Sequence, residues 1–159
     1  MIATRILAVR HGETLWNRET RIQGFTDIGL SDHGQWQAQQ LAQALRDEPV
    51  AACYASDLSR ARDTAQAVAY VHGHAVQTHS GLRERCFGQF EGHTWTEIET
   101  QWPEASQAWR QRVPDWAPPR GGESLIALSA LQMSSAMAQH SRRLLRSVIT
   151  SSTSLTQWA

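Results

Sequence analysis

The stretch AVRHGETLWN, residues 8–17, leaves a short apolar run directly into Arg10, His11 and Gly12. A strand that merely ends needs only a turn residue, so a guanidinium and an imidazole at that exit point to a site. Three further stretches carry residues of the same kind. WNRETRIQG (16–24) offers Asn17 and Gly24, a glycine where backbone can approach an anion. ASDLSRARDTA (55–65) puts Arg60 near the start of a helix that follows a strand, and GLRERCFGQFEG (81–92) brings Glu84 directly after another. Each has an ordinary alternative. A lone His is often a hydrogen-bonded core residue, and Arg60 and Arg62 can pair with Asp57 or Asp63 on an exposed helix face, the preferred reading for Arg62. Arg83 and Arg85 flank Glu84, and a structural partner role is open to either.

The elements that must position these residues alternate along the chain. RILAV (5–9) reads as a strand, VAACYAS (50–56) as a short buried strand, and AVQTHS (75–80) can form a third. Between the first two, Ser31 caps a helix with Ala38, Leu41, Ala42 and Leu45 on one face and Pro49 beyond its end. Between the second pair, Leu58, Ala61, Ala65 and Val68 recur at helical spacing, and Gly73 suits the C-terminal cap. Strand, helix, strand, helix, strand predicts a parallel sheet in an α/β fold. Ligands of open parallel sheets sit beyond the carboxyl ends of the strands, where all four stretches converge.

Residues 85–120 read differently. Thr94 and Glu97 can form a capping box, Trp95, Ile98 and Trp102 share a helical face, and VPDWAPPRGGES is a loop rich in Pro and Gly. This predicts a lid-like insertion into a single domain spanning 1–159. Four of the seven Trp lie here, as a satellite core or, less ordinarily, as a substrate wall.

Composition narrows the partners. Fifteen cationic side chains, all Arg, balance fifteen acidic ones, so no global field favours nucleic acid or an anionic membrane. Cys53 and Cys86 form neither a metal-spacing pattern nor a disulfide framework, which fits a reducing compartment. The N-terminus lacks the apolar run of a signal peptide, and a cytoplasmic location is the default. The seven His are scattered without ligand spacing beyond His72 and His74, so neither metal nor other cofactor is expected.

Taken together, VRHGETLWN, SDLSRARDTA, LRERCFGQFEG and GGES resemble the histidine phosphatase superfamily, also called phosphoglycerate mutase-like, over roughly residues 5–128. The resemblance implies a three-layer α/β/α sandwich with a mostly parallel central sheet. It makes His11 a nucleophile that is transiently phosphorylated, Arg10 and Arg60 phosphate clamps, and Glu84 the proton donor. Asn17 and Gly24 line the pocket it implies, together with Gln23. The chemistry suits these types. A neutral imidazole is a competent nucleophile, guanidinium forks match phosphoryl oxygens bidentately, and a leaving alkoxide needs an acid. RCFGQFEGHTWTEIETQWPE is short, acidic and aromatic, unlike the longer basic insertion of the mutase branch. The favoured reading is therefore a phosphomonoester hydrolase acting on a small phosphorylated metabolite. A phosphoglycerate mutase-type phosphoryl transferase and a catalytically impaired phosphate-binding module are the alternatives, and a homodimer is one open oligomeric state.

The resemblance weakens after GGES. The family pattern calls for a helix, a buried strand and a Ser-His-Gly-type turn with a second catalytic His. Here nine of the last 36 residues are Ser, no Gly, Pro or acidic residue follows Glu123, and His140 is the only His. LLRSVITS (144–151) can still fill the place of the strand. The tail, about 129–159, reads as altered relative to the family by frameshift or truncation, leaving the fold C-terminally incomplete.

Overall fold

A computed structural model of the chain describes residues 5–127 and the backbone of 146–151. Its elements in chain order are β1 (Arg5–Arg10), α1 (Leu15–Arg18), α2 (Asp32–Ala44), β2 (Ala52–Ala55) and α3 (Ser59–Val71). They continue with β3 (Val76–Thr78), α4 (Trp95–Gln101), α5 (Pro103–Arg110) and β4 (Arg146–Ser151). Local chemistry sets the helix ends. The Ser31 hydroxyl accepts the Gly34 N–H at the start of α2, and the Thr94–Glu97 capping box forms at α4. Gly73 turns the chain beyond α3 with a φ of 67°.

Every strand pair is parallel, in the order β1-β4-β2-β3. β4 is central, with Val148 opposite Leu7 on one side and Cys53 on the other. The segment LLRSVITS thus supplies the strand its apolar pattern suggested. The α/β class and the parallel sheet agree with the sequence. Crossovers between parallel strands are right-handed, so the β1-to-β2 and β2-to-β3 connections put α2 and α3 on one face, where they pack together. Val68, Ala69 and Ala42 of these helices meet Cys53 and Val50 in the main core, with Leu7 and Val9 of β1 against it. The opposite helical layer of the expected sandwich, and His140, lie outside the described residues.

A second apolar cluster joins Phe87, Phe90 and Ile98 to Ile22, Trp95, Trp102, Trp109 and Trp116. The four Trp of the 85–120 segment are therefore packed as a satellite core. Two backbone bonds, Ile22 N–H to the His93 carbonyl and Gly92 N–H to the Ile22 carbonyl, stitch this cluster to the loop after α1. No helix among the described residues is long and apolar enough to cross a membrane, and both cysteines are free thiols.

Phe90 has no exposed surface, and its ring lies 6.0–6.1 Å from those of Trp102, Trp109 and Trp116. Phe90→Ala is expected to cost about 3–5 kcal/mol and to flatten the near-ultraviolet circular dichroism of the Trp cluster. A loss near zero in thermal unfolding would show that the cluster is not a cohesive core.

Candidate active site

Arg10 is the last residue of β1, so His11 opens the loop at the carboxyl edge of the sheet. Arg60 lies in the first turn of α3 behind β2, and Glu84 follows β3 after one 3-10 turn. The charges of Arg10 and Arg60 act on both His11 and Glu84, which gathers the four groups into one cluster.

His11 is 7 % exposed, and its Nδ1 lies 2.6 Å from the carbonyl oxygen of Gly12. A carbonyl only accepts, so Nδ1 carries the proton and Nε2 holds the lone pair. Burial first, and then the Arg60 and Arg10 charges, lower its pKa to about 4. The imidazole is neutral at any ordinary pH. Glu84 shifts the other way. Loss of water around its carboxyl raises its pKa to about 7, against the opposing pull of Arg60, Arg10 and Arg85.

Arg60 is fully buried, not paired on an exposed face. Its Nη2 donates to the Gly24 carbonyl at 2.7 Å and its Nη1 to the Thr26 carbonyl at 3.0 Å. Arg62 is exposed and pairs with Asp63, as its helix position suggested. Both Arg residues beside Glu84 have structural partners. Arg83 grips Asp57 with Nε at 2.7 Å and Nη2 at 2.5 Å. The buried Arg85 lies 4.2 Å from the centre of the Trp109 ring.

The amides are oriented by Thr14. Its N–H donates to Asn17 Oδ1 at 3.0 Å in a capping box at α1, and its hydroxyl donates to Gln23 Oε1 at 2.8 Å. Both carbonyl oxygens being engaged, the Nδ2 of Asn17 and the Nε2 of Gln23 are the remaining polar ends of the two amides. Gly24 is buried with a φ of 69°, but its backbone carbonyl serves Arg60. The glycine has a further reason than the approach of an anion: a Cβ there would lie 2.2 Å from Glu91 Oε1.

Several supports went unread in the sequence. The Thr64 hydroxyl accepts the Gly12 N–H at 3.0 Å and donates to the Arg60 carbonyl at 2.8 Å, joining the His11 loop to α3. Asp27 takes the Ser59 N–H and hydroxyl at 2.8 and 2.7 Å, capping a helix whose own N-cap, Leu58, has no side-chain acceptor. Gly12 and Gly34 touch backbone to backbone: a Cβ on Gly12 would lie 2.4 Å from the Gly34 oxygen, and one on Gly34 only 2.0 Å from the Glu13 oxygen. Among these, Gly12 was marked as the turn after His11, and Gly34 left a signal as a glycine inside the first turn of a helix.

Comparison with known proteins decides the family. The histidine phosphatase superfamily (branch 1) matches residues 6–149. The chain belongs to that superfamily. It is 43 % identical over 125 residues to phosphoglycerate mutase-like protein 4 of Arabidopsis thaliana, covering 77 % of this chain and 54 % of that protein. It is 39 % identical over 126 residues to a glucosyl-3-phosphoglycerate phosphatase of Mycolicibacterium vanbaalenii, covering 79 % and 55 %. The chain thus spans about half the length of these curated relatives. A solved mycobacterial glucosyl-3-phosphoglycerate phosphatase in complex with VO3 superposes with a TM-score of 0.82 at 32 % identity, over 94 % of this chain and 74 % of that one. Within this histidine phosphatase framework, the glycine contact at the site sets a sharp expectation. Gly→Ala inside a helix normally stabilises by about 0.5–1 kcal/mol. Gly34→Ala is expected instead to lower the melting temperature, because the Glu13 backbone has to move. An unchanged or raised melting temperature would show that the loop yields freely.

Proposed function

We propose that this chain is a phosphomonoester hydrolase that works through a phosphohistidine on His11. The observation that carries the reading is the tautomer. With Nδ1 bonded to the Gly12 carbonyl, the Nε2 lone pair is free of a proton, and the Arg10 and Arg60 charges beside it suit an incoming phosphate. Nε2 attacks phosphorus, the P–O bond to the leaving alcohol breaks, and Glu84 gives that oxygen its proton. Water then attacks the phosphohistidine and releases orthophosphate. Arg10, Arg60, Asn17, Gln23 and the Gly24 turn form the phosphate pocket, and no metal enters the cycle.

The substrate class is a small phosphorylated metabolite, in line with relatives named as glucosyl-3-phosphoglycerate phosphatases. Balanced charge argues against nucleic acid, and two free thiols suit the reducing cytoplasm. The name of the Arabidopsis relative favours one second reading, transfer to a sugar-acid hydroxyl in place of water. Against it, the segment after Glu84 is short, acidic and aromatic, and its Arg85 is buried against Trp109.

The test is to trap the intermediate. The chain is turned over with an aryl phosphate, quenched in alkali and mapped by peptide mass spectrometry. One phosphoryl group on His11, absent in His11→Asn, is the expected result; turnover persisting in His11→Asn would overturn the reading.

The two shifted pKa values fix a pH profile. His11 attacks only when neutral, above about pH 4, and Glu84 donates only when protonated, below about pH 7. The plot of kcat/KM against pH is expected to be a bell between those limits, its alkaline limb lost in Glu84→Gln along with most of the rate. An alkaline limb retained in that variant would assign the acid elsewhere.

A further inference from the structure

Glu91 lies in the FGQFEG stretch, and the chemistry proposed above gives it no part. Its carboxylate nevertheless accepts from three backbone N–H groups and a hydroxyl near the site. Oε1 takes the N–H of Phe25 at 2.9 Å and of Phe87 at 3.0 Å. Oε2 takes the N–H of Thr26 at 2.7 Å and the Thr26 hydroxyl at 2.5 Å. One carboxylate therefore ties the 24–26 turn to the edge of the aromatic core.

That turn is the seat of Arg60. The Gly24 carbonyl that receives Nη2 belongs to the same peptide group as the Phe25 N–H that Glu91 accepts, and the Thr26 carbonyl that receives Nη1 belongs to the residue whose N–H and hydroxyl Glu91 accepts. The 24–25 peptide, held through its N–H by the carboxylate, turns its carbonyl toward the guanidinium, and Thr26, held through its N–H and hydroxyl, offers the second carbonyl. The carboxylate also lies near enough for its charge to act on Arg60. Gly24 completes the arrangement, since its positive φ and missing Cβ leave room for Glu91 Oε1.

From this relay, and resting on the phosphate site proposed above, we propose that Glu91 is the positioning residue that presents the Arg60 guanidinium to the bound phosphate. Glu91 touches no substrate. It fixes where the fork points, and a fork displaced by a fraction of an ångström loses the paired contacts that make a guanidinium selective for phosphate.

The test uses orthophosphate and vanadate binding to the whole 159-residue chain, which needs no turnover. Glu91→Gln keeps the shape but offers an NH2 group where an acceptor is required, so one amide of the turn loses its partner. Affinity is expected to fall by on the order of 10-fold, with the near-ultraviolet circular dichroism of the Trp cluster retained. Arg60→Ala is expected to fall further, and Glu91→Gln with Arg60→Ala to be no weaker than Arg60→Ala alone, because Glu91 acts through Arg60. Wild-type affinity in Glu91→Gln, or losses that add in the double variant, would overturn the inference while leaving the phosphate site intact. A wild-type chain that binds neither anion, or an Arg60→Ala variant that binds both normally, would overturn the phosphate site and this inference together. Should Glu91→Gln fail to fold, Thr26→Val decides, because it removes only the 2.5 Å hydroxyl bond. A smaller loss, restored in Thr26→Ser, supports the relay, and wild-type affinity in folded Thr26→Val overturns it.

Discussion

Arg60 has no exposed surface, and withdrawing a guanidinium from water is costly unless the fold supplies partners and opposing charge. Here two backbone carbonyls take its Nη groups, and the carboxylates of Glu84, Asp27 and Glu91 act on it from nearby. Among the described residues its Nε finds no hydrogen-bond partner. A buried cation held this firmly is a standing source of positive potential in a space with little water to screen it. His11 stays neutral beside it, and Glu84 keeps a raised pKa because burial outweighs the cationic attraction. Burial sets the direction of both shifts, and the charge of the anchored Arg60, with that of Arg10, acts on both groups.

Anchoring it takes contacts from four separate places. The 24–26 turn gives carbonyls, the Thr64 hydroxyl ties Arg60 to the His11 loop, Asp27 caps the helix that carries Arg60, and the Gly12–Gly34 contact seats that loop on α2. Each is a short-range contact between segments distant in sequence, all meeting at the carboxyl edge of the parallel sheet. That edge is where strand ends converge, so loops there can be fastened to one another while the strands beneath stay regular. The aromatic cluster fits the same logic. By packing Phe87 and Phe90 against four Trp, it makes a firm base from which Glu91 reaches the turn.

What could be read from the sequence divides along this line. Ser31 as a cap, Thr94 with Glu97 as a box, and the buried face of Leu58, Ala61, Ala65 and Val68 depend on neighbours a few positions away, and each is found as expected. His11, Arg60 and Glu84 were legible because each stands just after an apolar run that ends at the same edge. Thr64, Asp27 and Glu91 were not, since their partners lie 52, 32 and 65 positions away and nothing local marks them. Gly24 was marked for its backbone, and its lack of a side chain matters as much, for the carboxylate packed against it. The central place of β4 was half legible: its apolar pattern showed a strand, while its register between β1 and β2 is a property of the assembled sheet.

The opposed shifts of His11 and Glu84 also give the proposed cycle its direction. Near neutral pH the pair begins as an uncharged nucleophile and a carboxyl close to its midpoint, so attack by Nε2 and protonation of the leaving oxygen can occur together. After the alcohol departs, Glu84 is a carboxylate beside a phosphohistidine, and the same burial that made it a willing donor now makes it eager to recover a proton. A water aligned with the P–N bond is the available source. By taking that proton, Glu84 acts as the base of the second step, and the release of orthophosphate returns both groups to their starting states. In the proposed cycle, two residues pushed in opposite directions by one dry, cationic site thus serve both halves of the hydrolysis, Glu84 as acid in the first and as base in the second.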